Sequence, residues 1–284
     1  MFPKLVLVAF FASAAFAASN CPSRRATGDL KNANFWFAFG DSYTARGFNT
    51  SGTVPAPGNP FGNPAYPGAT GVGANWLDFD TVEFNKSLTL TYDYAVGGST
   101  INGTLVPSSR GTRSLVVQVN DFKGQVGKRP AFAPWTGKNA LFSIWFGIND
   151  INLTYNKGGD RDADLGARNF LFINIPPMYR TPLMLKKPLS VRYVEKDVIT
   201  GFNSKLATRV KSFAAKYPSA KTYLWDANTA FHQVLDNPKK YGFTNITGYG
   251  QPGDLWGNSF HPSSQAHHLW ANEIAALLNG TVWL

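Results

Sequence analysis

Five short apolar runs punctuate the chain, at Phe35–Phe39, Leu88–Val96, Ala140–Phe146, Asn169–Ile175 and Thr222–Trp225. They are nearly continuous rather than cleanly alternating, the pattern of strands buried on both faces of a parallel sheet. Between them the hydrophobic period changes. Ile199, Phe202, Leu206, Val210 and Phe213 recur at steps of three or four with Pro218 just beyond, which predicts an amphipathic helix packed on that sheet. A second helix is predicted from about Ser264 to Leu278, with Leu269, Ile274, Leu277 and Leu278 on its apolar side. Strands alternating with helices predict a doubly wound α/β fold.

Two connections depart from this rhythm. Residues 45–73 are rich in Gly, Pro and Asn, and Pro55, Pro57, Pro60, Pro64 and Pro67 block regular structure there. Such a loop belongs at the carboxyl ends of the strands, where open α/β sheets bind ligands. The second is Ile151–Arg168, INLTYNKGGDRDADLGAR, which must join the third strand to the fourth. A parallel crossover needs a dozen or more residues and normally a helix, yet this stretch holds Gly158-Gly159 and little amphipathic periodicity. One crossover helix is therefore expected to be missing, the join falling near Asp162-Ala163-Asp164, and the bared apolar surface is expected to lower the melting temperature.

The amino terminus belongs to another class of segment. Lys4, an apolar run from Leu5 to Phe16, and Ala15-Phe16-Ala17 predict a secretory signal peptide over residues 1–17, the run being shorter than the roughly 20 residues that span a bilayer. Residues 18–284 are then expected to be one domain of a secreted, extracellular, monomeric protein with no membrane anchor. With Cys21 as the only cysteine, no intramolecular disulfide forms. Six Asn-x-Ser/Thr sequons, headed by Asn49, Asn85, Asn102, Asn152, Asn245 and Asn279, suit a glycoprotein. The net charge of +10 is scattered, with nothing longer than Arg24-Arg25 or Lys186-Lys187, so no nucleic-acid partner is expected.

Candidate chemistry sits at the element ends. Phe39-Gly40-Asp41-Ser42 follows the first strand, where a sharp strand-to-helix turn would expose a serine hydroxyl above the sheet edge. Tyr94-Ala95-Val96-Gly97-Gly98-Ser99 ends the second strand, Phe146-Gly147-Ile148-Asn149-Asp150 ends the third, and Asn258-Ser259-Phe260-His261-Pro262 precedes the last helix. Of the other histidines, His232 is expected on a helix, and His267 and His268 on the surface of the last helix, pointing in different directions. That pair has no third partner in the sequence, so no metal is expected.

In order and position these four segments resemble the blocks of the GDSL/SGNH hydrolase superfamily. Asn59-Pro60-Phe61-Gly62-Asn63-Pro64, Gly73-Ala74-Asn75-Trp76, Gly166-Ala167-Arg168-Asn169-Phe170 and Asn174-Ile175-Pro176-Pro177 resemble its fungal acetyl esterases of carbohydrate esterase family sixteen. The resemblance implies a flavodoxin-like, three-layer sheet (the SGNH hydrolase fold) and a serine esterase without cofactor. It makes Ser42 the nucleophile and His261 its general base, with an oxyanion hole from the Ser42 and Gly98 N–H groups and the Asn149 amide. The implied substrate is an acylated small molecule or oligosaccharide, with acetyl foremost. A lipid esterase or acyltransferase of the same superfamily, or a binding-only protein that has lost activity, are the rival readings.

The chain departs from the superfamily at one position of the site. An aspartate usually stands three residues before the histidine, and here the residue is Asn258. An amide oxygen can accept the imidazole N–H and fix its tautomer, though it stabilises the imidazolium less than a carboxylate does. Asp254 or a backbone carbonyl are the alternatives. Trp76, Trp135 and Trp256 are candidates for an aromatic sugar platform or for packing.

Overall fold

A computed structural model describes residues 29–67, 73–108, 111, 113–154 and 169–284. Five parallel strands, β1 (Asn34–Gly40), β2 (Thr89–Asp93), β3 (Ala140–Trp145), β4 (Asn169–Ile173) and β5 (Lys221–Trp225), form one sheet in the order β2-β1-β3-β4-β5. This is the flavodoxin-like order, and it creates a switch point between β1 and β3, outside whose carboxyl ends ligands bind. All five strands coincide with the apolar runs.

Alternate residues of β1 serve opposite layers. Trp36 and Ala38 face a core built with α1 (Trp76–Val82), α6 (Ala227–Asp236) and α7 (Ser264–Leu277), including Trp76, Phe231 and Trp270. Phe35, Phe37 and Phe39 face the other way, onto Leu115 and Val119 of α2 (Leu115–Gln125) and the aromatic rings of Tyr92, Phe122, Trp135 and Phe142. Both faces are thus covered, which is why the strand sequences carry few polar breaks.

The helix read from the Ile199–Phe213 periodicity is α5, which begins earlier, after Pro188, and runs over Leu189–Lys216. Preceding it are α3 (Ile148–Thr154), a single 3₁₀ turn at Met178–Arg180 and α4 (Pro182–Leu185). A small two-stranded parallel pair, β6 (Asn245–Tyr249) and β7 (Asp254–Trp256), leads into the histidine loop and was not foreseen.

The signal-peptide reading of residues 1–17, Cys21 and Arg24-Arg25 lie outside the described residues. So does the proposed loss of a crossover helix, because only α3 at the start of that connection is described, and not residues 155–168. The tryptophan platform is corrected: Trp76, Trp135 and Trp256 are 1%, 8% and 1% exposed, and the Trp135 and Trp256 indole N–H groups donate to the Val126 and Ile246 carbonyls. All three are core residues, and in Trp135 and Trp256 the polar edge is satisfied by backbone.

Candidate active site

Gly40 ends β1 where any larger residue would collide with the next turn. A Cβ there would lie 2.9 Å from Thr44 Oγ1 and 3.2 Å from the Trp145 carbonyl. The buried Gln118 of α2 braces this strand end: its Oε1 accepts from the Gly40 N–H at 3.1 Å and its Nε2 donates to the Gly40 carbonyl at 2.9 Å. Asp41 then forms a tight turn, its Oδ1 accepting from the Tyr43 N–H and its carbonyl from the Thr44 and Ala45 N–H groups. No helix starts at Ser42, contrary to the expected strand-to-helix turn. The chain passes instead into the Pro/Gly loop, so Ser42 is presented by a turn and not by the first residue of a helix.

Ser42 and His261, although 219 residues apart in sequence, are joined by a hydrogen bond of 2.6 Å between Oγ and Nε2. The other ring nitrogen, Nδ1, lies 3.0 Å from Asn258 Oδ1. That oxygen also accepts from the Phe260 N–H at 2.9 Å and the His261 N–H at 2.8 Å. Two backbone N–H groups can only donate, so the amide atom facing them is the oxygen, and the third contact must be a donation from Nδ1–H. The neutral imidazole then carries its proton on Nδ1 and offers a lone pair on Nε2 to the serine hydroxyl. Asp254 is elsewhere: its carboxylate accepts from Asn245 Nδ2 at 2.8 Å and the Gln251 N–H at 3.0 Å.

The remaining blocks converge on the same corner. Gly98 takes a left-handed backbone at φ +80°, turning the chain after β2, and a Cβ on the adjacent Gly97 would sit 3.6 Å from Ser42 Cβ. Asn149, on α3, donates from Nδ2 to Asp41 Oδ2 at 3.1 Å and to the Ser99 carbonyl at 2.9 Å. Next to it, the Asp150 carboxylate accepts from the Ile101 N–H through both oxygens at 3.1 Å. Ser42, Gly98, Asn149 and His261 are all half-buried, whereas the residues supporting them, Asp41, Tyr43 and Asp150, are buried.

Burial pushes the Asp41 carboxyl up to about 7; the Asp150 charge adds to the rise, and the Tyr43 N–H and Asn149 amide oppose it. His267 is 2% exposed and packs against Tyr43, not on the helix surface as expected. Burial, reinforced by the neighbouring His261, lowers it to about 3, so it stays neutral. His232 lies on α6, bonded to Tyr179 and Arg180, and His268 pairs with Glu83, both away from Ser42. Among the described residues no group of three or more His, Cys, Asp or Glu could hold a metal ion, and no helix is long and apolar enough to cross a membrane.

A parallel 2-1-3-4-5 sheet bearing a serine–histidine pair at its switch point defines a hydrolase class, and the sequence specifies which one. The GDSL-like lipase/acylhydrolase pattern matches residues 37–274, and the chain belongs to that family of carboxylic ester hydrolases. It is 35% identical over 268 residues to an acetylesterase of Thermothelomyces thermophilus, covering 87% of this chain and 89% of that protein. A GDSL esterase/lipase of Arabidopsis thaliana is 26% identical over 145 residues, 41% of this chain and 40% of that protein. Among solved structures, a mutant of Axe2, an acetyl-xylooligosaccharide esterase of Geobacillus, aligns with a TM-score of 0.46 and 14% identity, covering 87% of this chain and 94% of that one.

Proposed function

We propose that the chain is a secreted serine esterase that removes short acyl groups, acetyl foremost, from carbohydrate esters through an acyl-enzyme on Ser42. The observation that carries this reading is the continuous relay Ser42 Oγ, His261 Nε2, His261 Nδ1, Asn258 Oδ1. In it Ser42 attacks the ester carbonyl while Nε2 takes the hydroxyl proton. The Ser42 and Gly98 N–H groups and the Asn149 amide receive the oxyanion, where losing one donor typically costs about 3 kcal/mol. Both Asn149 amide hydrogens are engaged in the resting site, so the oxyanion takes Asn149 as a shared donor. His261 then returns the proton to the departing sugar hydroxyl, and activates the water that releases the acyl group.

The acetylesterase similarity along most of both chains supports acetyl as the acyl group. Secretion and glycosylation rest on residues 1–17 and the six sequons. The test is turnover of acetylated oligosaccharides together with a series of esters from acetyl to octanoyl. Acetyl esters are expected to be hydrolysed fastest, with Ser42→Ala inactive and still folded. A rate rising steadily with acyl length would favour a lipid substrate instead.

A further inference from the structure

The peptide unit that precedes the histidine is held at both ends. Its N–H, belonging to His261, donates to Asn258 Oδ1 at 2.8 Å, and its carbonyl, belonging to Phe260, accepts from Tyr43 Oη at 2.6 Å. Tyr43 is the residue next to Ser42, so this bond ties the nucleophile's turn to the base's loop across 217 positions of sequence. The phenol is fully buried, and its ring meets His261 at 5.3 Å, Trp145 at 5.4 Å and His267 at 6.3 Å between centroids. Met178 Sδ, at 3.6 Å, is the other neighbour of the hydroxyl and a weak acceptor, so the single O–H proton goes to the carbonyl. Burial, with the charges of Asp41 and Glu195, pushes the phenol well above its ordinary range and keeps it a donor.

We propose that Tyr43 is a positioning residue, whose hydroxyl clamps the Phe260 carbonyl and thereby aims the His261 imidazole at the neighbouring Ser42 hydroxyl. This rests on the Ser42–His261 reading above and adds a part to it. The need for the clamp follows from Asn258. A neutral amide holds an imidazole less firmly than a carboxylate, so the aim of the ring depends more on the backbone that carries it. Rotation of the 260–261 peptide would swing Nε2 away from Ser42 Oγ, and errors of about 1 Å in such geometry can cost two orders of magnitude in rate.

Tyr43→Phe keeps the ring and removes only the donor. The expected result is a fall in kcat for acetyl esters on the order of tenfold with KM little changed, as for the loss of one buried hydrogen bond acting on the transition state. Labelling of Ser42 by a fluorophosphonate, scaled to the folded fraction from near-ultraviolet circular dichroism, should slow by the same factor. A merely structural tyrosine would lower the melting temperature and leave both rates per folded molecule unchanged, which would overturn the proposal. In an Asn258→Asp background the Tyr43→Phe loss should shrink, because the carboxylate then holds the ring; an undiminished loss would also count against the clamp. If Tyr43→Phe does not fold, 4-fluorophenylalanine placed at position 43 keeps most of the side-chain volume and loses the donor, and an unchanged labelling rate per folded molecule would overturn the clamp. Wild-type protein that is not labelled at Ser42 would instead refute the underlying serine-esterase reading.

Discussion

Asn258 shows how one side chain can do two jobs with a single oxygen. Two backbone donors fix the orientation of its amide, and that orientation fixes the histidine tautomer. Asn258→Ala is expected to lower kcat by at least about a hundredfold, since it releases both the loop and the ring. Asn258→Asp keeps the acceptor and adds charge, so activity should be preserved or raised. Asp254→Ala should leave kcat near that of the wild type; the opposite pattern in these steady-state rates would move the orienting role to Asp254. Ser42, Gly98, Asn149 and His261 were legible in the sequence because each lies in a short block at an element end. The choice between Asn258 and Asp254 was not legible, because both stand within a turn or two of His261 and only the fold separates them. Gln118 and Tyr43 left no signal either. One is a buried amide on a helix and the other an aromatic in an aromatic-rich chain, and both act by contacts distant in sequence.

At the scale of elements, strands were legible and several helices were not, for a physical reason. Burial on both faces makes a strand an apolar run, but α1 turns Asp78 and Asp80 inward and α2 turns Gln118 inward while Val116 and Val117 are 46% and 40% exposed. Inward polar residues, of which Asp78 and Gln118 brace a loop and a strand end, erase the 3.6-residue period. In α6 the period is intact, in Ala227, Ala230, Phe231, Val234 and Leu235. Asp78 shows what the inward charge is for. Its carboxylate accepts the capping N–H of Asn75 at 3.0 Å and pairs with Arg46 Nε at 2.7 Å, and the Arg46 N–H donates to Asp93 Oδ2 at 2.7 Å. The guanidinium also lies 3.4 Å over the Phe61 ring and donates to the Pro64 carbonyl, fastening the Pro/Gly loop beside Ser42. Arg46→Met strands Asp78 without its cation inside the protein, which is expected to cost about 3–5 kcal/mol. Urea denaturation at neutral pH measures this, and a loss below about 1 kcal/mol, as for an exposed pair, would contradict it.

At the scale of the whole molecule, the buried acids among the described residues set the response to pH. Burial raises Asp41 and Glu195 to about 7 and Asp93 to about 8, against ordinary values of 3.8, 4.5 and 3.8. In the window between those values the folded chain keeps protons that the unfolded chain has released, so stability falls as pH rises through it. His267 works in the opposite sense. Its folded value of about 3 against 6.5 means that stability is lost as pH falls below 6.5. Among the described residues Asp80 and Glu273 are raised by burial as well and His232 is lowered, so five raised carboxyls outweigh two lowered imidazoles, whose contribution fades above 6.5. The melting temperature should therefore decline from about pH 5 to about pH 8 in scanning calorimetry, and a rise across that range would show that these acids are ionised and paired. All these features converge on one reactive serine at the switch point of the sheet. The most direct test is to treat the folded protein with a fluorophosphonate and map the modified peptide by mass spectrometry. The adduct is expected on Ser42 alone, forming at least about a hundredfold more slowly in His261→Ala; an adduct on another residue, or none on folded protein, would contradict the assignment.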